Sequence, residues 1–177
     1  MSLVDVYLGL GSNLEREKHL NAGLDALQAL FGEVQCSPVF ESEPVGIRSA
    51  CFLNLVVHIK TRMPLSELNQ QLKQIEAING RYSQPSKVLS LDIDVLLYGQ
   101  QTGDYAGITL PRAEILKNAF VLWPLALLAP EVVHPLAQRS FLELWQQTPI
   151  NQRLWPVPFF WRTWQLTPPA LLKSSVV

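Results

Sequence analysis

A ferredoxin-like α+β fold, an antiparallel sheet with two helices on one face, is what this sequence predicts, and three observations carry the prediction. The elements of residues 3–98 run strand-helix-strand-strand-helix-strand, the order of a split β-α-β unit. The strand segments alternate apolar and polar residues with period two, whereas the helical segments repeat apolar residues every three or four positions. The length of 177 residues, 48% of them apolar, supports one substantial core.

Residues 3–10 open the chain as a half-buried strand, with Val4, Val6, Leu8 and Leu10 on one face and Asp5, Tyr7 and Gly9 on the other. Gly11-Ser12-Asn13-Leu14-Glu15 turns the chain, and Ser12-x-x-Glu15 has the form of a capping box. A first helix follows, its stripe being Leu20, Leu24, Leu27 and Phe31 and its end near Gly32. Two β-prone runs, 33–43 and 51–61, are joined by a connection containing Pro44 and Gly46 that is long enough to be functional. In the second run Leu53, Leu55, Val57 and Ile59 form the core face, and Phe52, Asn54, Val56 and His58 the opposite one. Pro64 starts a second helix with the stripe Leu65, Leu68, Leu72 and Ile75, closed by Gly80. An acidic strand, 91–99, completes the unit and leaves the helix-free sheet face for ligands. Beyond it, 111–118 and 121–128 read as helical pieces and 130–135 as a turn. The first 150 residues are expected to form one domain. Residues 151–177, with Trp155, Phe159, Phe160, Trp161 and Trp164 among prolines, are expected to pack on that domain or on a partner.

A formal charge of −1 gives no basic field for nucleic acid, so small-molecule partners are expected. Cys36 and Cys51 are too few for a disulfide framework and read as buried, reduced thiols of a cytoplasmic protein. The N-terminus lacks a secretory pattern and the apolar stretch 119–129 is too short to span a bilayer, so no membrane partner is expected. His19, His58 and His134 fall on an exposed helix, a strand and a turn without nucleophile or zinc spacing. Gly9-Leu10-Gly11 precedes a helix, but it lacks the third glycine and later acid of a dinucleotide loop and the Gly-Lys-Ser/Thr of a phosphate loop. It reads as a structural corner.

The strongest chemical signal is Asp92-Ile93-Asp94 inside the apolar strand Leu91-Asp92-Ile93-Asp94-Val95-Leu96-Leu97-Tyr98-Gly99. Alternation puts Leu91, Ile93, Val95 and Leu97 on one face and both acids on the other, with Cα atoms ~6.5 Å apart. That spacing suits a hard cation, Mg²⁺ being the natural candidate, as phosphoryl transfer requires. A solvated face is the competing reading, but like charges on an interior-type strand are costly without a compensating cation. Phe52 and Asn54 face the same way, so a ring could stack, an amide could read its edge and a metal could neutralise phosphate beside them. The opposing reading, Phe52 filling core and Asn54 capping a loop, fits the pattern equally well.

These residues resemble the 6-hydroxymethyl-7,8-dihydropterin pyrophosphokinase family over about residues 5–148. The resemblance rests on Tyr7-Leu8-Gly9-Leu10-Gly11-Ser12-Asn13-Leu14, Phe52-Leu53-Asn54, Gly80-Arg81, the acidic strand, Leu110-Pro111, Ala119-Phe120-Val121-Leu122-Trp123-Pro124-Leu125 and Ala129-Pro130-Glu131. It implies a ferredoxin-like fold and transfer of pyrophosphate from ATP to the pterin's hydroxymethyl oxygen, releasing AMP. It further implies that Asp92 and Asp94 hold two Mg²⁺ and that Arg81 stabilises the transferred group. Ser42, Val45, Phe52, Asn54 and Phe120 would line the pterin pocket, and Glu76, Arg81, Val95 and Thr109 would contact nucleotide.

The chain departs from the family pattern in its cations. Leu89 stands in place of an arginine, the loop before it is shorter and lacks a tryptophan, Arg112 replaces histidine, and Asn118 replaces arginine. Lys73, Lys87, Arg112 and Lys117 are the nearby substitutes, although lysine offers a point charge and no bidentate fork. The rival reading is a paralogue that keeps the pterin pocket as a binding or interaction module without turnover. A third is hydrolysis of a phosphorylated small molecule. A monomer or a homodimer is expected.

Overall fold

A computed structural model describes residues 2–44 and 50–174. Strand β1 (Val4–Ser12) leads to α1 (Arg16–Phe31), then to β2 (Gln35–Cys36), β3 (Phe40–Ser42) and β4 (Phe52–Thr61). Helix α2 (Leu65–Ile78) and β5 (Asp92–Tyr98) close the split unit. The sheet order is β5-β1-β4-β3, with β2 also on β4, and every pairing is antiparallel. This is the predicted ferredoxin-like arrangement. Next come β6 (Gly103–Tyr105), β7 (Ile108–Leu110), α3 (Glu114–Lys117), α4 (Ala119–Leu128) and α5 (Phe141–Gln147). The chain ends in β8 (Leu154–Pro156), β9 (Phe160–Trp161), β10 (Trp164–Gln165) and α6 (Pro169–Ser174). Strand β8 pairs with β3 and so extends the main sheet.

The apolar stripes meet as their periodicity requires. Leu20, Leu24 and Leu27 of α1 and Leu68, Leu72 and Ile75 of α2 bury against Val6, Leu8, Leu10, Leu53, Leu55, Val57 and Ile59. Gly32 and Gly80 adopt positive φ just beyond the two helices, where glycine tolerates the left-handed turn. Phe159 and Trp161, near the chain's end, bury in this same core.

Several expectations are corrected. The capping box does not form: α1 begins at Arg16, Glu15 takes a left-handed conformation without a side-chain cap, and the Ser12 hydroxyl instead donates to the Leu14 carbonyl. His19 is buried, its Nδ1 donating to the Leu14 carbonyl. The cysteines are half-buried, and burial pushes the Cys36 thiol up to about 12. Leu97 does not share a face with Ile93 and Val95. Tyr7 pairs with Leu97 and Leu8 with Val95, so Leu96 is an extra residue, a β-bulge that resets the alternation. Leu96 and Leu97 both enter a second core with Val56, Ile115, Leu122, Leu125, Phe141 and Leu144. The sheet face expected to be free for ligands is therefore partly roofed by α3, α4 and α5. Among the described residues no helix is long and apolar enough to cross a membrane.

Candidate active site

The uncovered part of that face lies where β5, β1 and β4 run side by side. Register sets Asp92 opposite Gly11 and Gly11 opposite Asn54, with Asp94 opposite Gly9 and Gly9 opposite Val56 in the next row. Two acids thus flank a floor of glycine. A Cβ at Gly11 would stand 2.9 Å from Asn54 Oδ1, and one at Gly9 would reach 3.5 Å from a Leu96 methyl. The glycines that read as a corner are strand residues that keep this floor low, which only the cross-strand register reveals.

Each acid meets an arginine. Arg81 Nη1 lies 2.9 Å from Asp92 Oδ1 and 3.0 Å from Glu76 Oε2, and it donates to the Leu91 carbonyl at 3.4 Å. Glu76 is buried; its Oε2 accepts from the Ile93 amide at 2.9 Å and its Oε1 from the Tyr82 hydroxyl at 2.7 Å. Desolvation raises the Glu76 carboxyl above its ordinary value, against the pull of those donors. Arg112 Nη2 lies 3.6 Å from Asp94 Oδ1, while its Nε lies 3.2 Å from Glu114 Oε2. Its backbone amide donates to the Leu96 carbonyl at 3.0 Å, fixing where the side chain starts. Burial, then the charge of Asp92, raises the Asp94 carboxyl to about 7, with Arg112 pulling the other way. Two crowded, partly desolvated carboxylates favour an added positive charge.

Three adjoining cavities meet at these acids. The middle one, about 210 Å³, is lined by Gly9, Gly11, Asn54, Asp92, Asp94 and Arg112 among others. A second, about 240 Å³, shares Asp92, Gly11, Asn54 and Phe120 with it and adds Ser42, Phe52 and Leu89. A third, about 320 Å³, shares Asp94 and Arg112 and adds Lys73, Glu76, Arg81, Tyr82 and Val95. Asn54 Nδ2 donates to Ser42 Oγ at 2.8 Å, which sets the amide in the second cavity.

Of the residues singled out from sequence, Ser42, Phe52, Asn54 and Phe120 come together on the apolar side, and Lys73, Glu76, Arg81, Val95 and Arg112 on the polar side. Lys87, Thr109 and Lys117 are exposed and line none of these three cavities. Val45 lies outside the described residues. Sequence reasoning missed Asn13, whose Oδ1 accepts from the Leu89 amide at 2.7 Å and whose Nδ2 donates to the Lys87 carbonyl at 3.0 Å. That clamp holds the segment leading into β5. Its signal was present, since Asn after a strand end commonly bonds backbone.

Among the described residues no group of three or more His, Cys, Asp or Glu side chains could hold a metal. Two carboxylates suit Mg²⁺, which keeps several waters and takes substrate phosphate oxygens to complete its shell.

A family model described as 7,8-dihydro-6-hydroxymethylpterin-pyrophosphokinase matches residues 7–130. A Pseudomonas aeruginosa protein named 2-amino-4-hydroxy-6-hydroxymethyldihydropteridine pyrophosphokinase is 36% identical over 135 residues, 73% of this chain and 83% of that one. An Aquifex aeolicus protein of the same name is 30% identical over 147 residues, 80% of this chain and 90% of that one. Among solved structures, a Plasmodium falciparum HPPK-DHPS with pteroate superposes with a TM-score of 0.67 at 15% identity, over 82% of this chain and 44% of the longer one. That last likeness is one of fold.

Proposed function

The chain belongs to the 7,8-dihydro-6-hydroxymethylpterin-pyrophosphokinase family, and from that premise we propose how its residues carry out the family's reaction. The reaction is pyrophosphoryl transfer in folate biosynthesis: ATP gives its β,γ-pyrophosphoryl unit to 6-hydroxymethyl-7,8-dihydropterin, leaving AMP. The hydroxymethyl oxygen forms a bond to the β-phosphorus, the bond from that phosphorus to the bridging oxygen of AMP breaks, and the hydroxyl proton is lost.

The observation that carries the assignment of sites is the junction of an apolar and a polar cavity at one acid pair. In the apolar cavity Phe52 and Phe120 offer ring faces to the pterin, and Asn54, fixed by Ser42, reads its polar edge. In the polar cavity Lys73, Arg81 and Arg112 supply positive charge to the triphosphate. Asp92 and Asp94 would hold Mg²⁺, which when bound neutralises phosphate charge and helps orient the transferred group. Asp94 stands at the boundary of the middle and polar cavities and is placed to receive the hydroxyl proton. Arg81, braced by Glu76 and Asp92, is placed against the charge that develops on the transferred group. Positioning does most of the work.

Nothing in the site favours the reading of a module without turnover. The test is incubation with the hydroxymethyldihydropterin, ATP and Mg²⁺, followed by separation of nucleotides. AMP and pterin diphosphate in equal amounts are expected; AMP no higher than in an Asp92→Ala control refutes the proposal.

A further inference from the structure

The residues after the family match do more than end the chain. Gln152 Oε1 accepts from the Ala119 backbone amide at 2.7 Å, and its Nε2 donates to Asn118 Oδ1 at 3.0 Å. Ala119 opens α4, whose N-cap Asn118 provides no side-chain cap of its own, so the Gln152 amide fills that place. The next residue of the helix is Phe120, one wall of the apolar cavity. One residue on, the Arg153 carbonyl accepts from the Glu43 amide at 3.2 Å, and β8 then pairs Ser42 with Leu154 and Glu41 with Trp155. Trp155 Nε1 donates to Glu41 Oε1 at 3.1 Å. The other oxygen of Glu41 meets Arg16, which donates to the Cys51 carbonyl at 3.1 Å, next to Phe52. Ser42, Glu43, Pro44 and Phe52 all line the same cavity as Phe120.

Without β8, β3 would be a three-residue edge strand held on one side only, a short and weakly determined element. We propose that Gln152–Pro156 is a strap that positions both walls of the apolar cavity and so sets the affinity for the pterin, a role that rests on the function proposed above. Gln152 and Trp155 are positioning residues: neither lines that cavity, and each acts through a residue that does or that adjoins one. Among the described residues, the polar cavity, lined by residues of α2, β5 and the segments 81–82 and 107–112, receives no bond from the strap. The predicted effect is accordingly one-sided.

Gln152→Ala and Trp155→Phe, which keeps the ring and removes the N–H donor, test it in the full chain. The expected result for Gln152→Ala is a pterin KM raised about tenfold with the ATP KM unchanged within about twofold, and a matching loss in calorimetric affinity for the pterin alone. Gln152→Glu, which retains an acceptor for the Ala119 amide, should recover part of that loss. A folded Gln152→Ala protein with wild-type pterin KM and affinity overturns the proposal, as does an equal loss of pterin and ATP affinity, which would mark the segment as merely structural. Absence of turnover in the wild type counts instead against the proposed function, and the binding measurement still decides the strap.

Discussion

Gly11 shows how a single hydrogen in place of a methyl shapes the site. Its hypothetical Cβ would press on the end of the Asn54 amide and not on backbone, so the fold should tolerate alanine while the amide swings away. Gly11→Ala is expected to raise the pterin KM about tenfold with little change in melting temperature. Steady-state kinetics beside a thermal melt checks this. Glu76 is the opposite case, a buried acid whose two oxygens serve Arg81, Tyr82 and the Ile93 amide. Glu76→Ala strands the Ile93 amide and leaves Arg81 to Asp92 alone, and should cost about 2 kcal/mol of unfolding free energy, read from urea denaturation. Both roles were hidden in the sequence. Gly11 is defined by a partner 43 positions away, and Glu76 resembles any polar residue on a helix until its burial is seen.

At the scale of elements, periodicity located β1, α1, β4, α2 and β5 well, because their apolar stripes are long and face one core. It failed where the pattern changed phase or ran short. The bulge at Leu96 is invisible in a run of consecutive leucines, and α5 has only seven residues. The turn between α4 and α5 contains a buried titratable group. His134 Nδ1 accepts from the Leu136 and Ala137 amides at 3.2 and 3.0 Å, and burial lowers its pKa below 6.5. The folded ring therefore resists protonation. As pH falls below 6.5 the unfolded chain takes up a proton that the folded one refuses, so this group contributes a loss of stability on acidification and none above that range. Asparagine can present an equivalent acceptor without titrating. The urea midpoint of the wild type should thus fall more between pH 7.5 and 5.5 than that of His134→Asn; equal falls would show that the ring is not responsible.

Across the whole molecule, one sheet is shared by two cores, with helices α1 and α2 beneath it and α3 to α5 over part of the other side. The site occupies what that roof leaves open. The acid pair and Phe52 were legible because alternation in β4 and β5 is local, and Phe120 only through the family resemblance, whereas the convergence of Arg112, 18 positions after Asp94, depends on how the intervening chain folds back. The tail was legible only as composition. Phe159 and Trp161 are 2% and 3% exposed in the main core, so Trp161→Ala should lower unfolding free energy by about 3 kcal/mol despite lying far along the chain from the acids. Calorimetric melting of that variant checks it.

The extra residue at Leu96 also has an engineering consequence. It acts as a phase shifter: Ile93 and Val95 pack in the core with α1 and α2, whereas Leu97, which unbroken alternation would send there too, packs beside Leu96 under α3 to α5, without any break in the strand. Excising Leu96 would restore plain alternation, with Leu97 still opposite Tyr7 and Tyr98 still opposite Val6, on the side where its hydroxyl reaches the Met63 carbonyl at 2.8 Å, but it would remove one of the two leucines packed under α3 to α5. The acids would keep their aim while the roof above them lost its footing, so the length of this strand, as much as its composition, is under constraint.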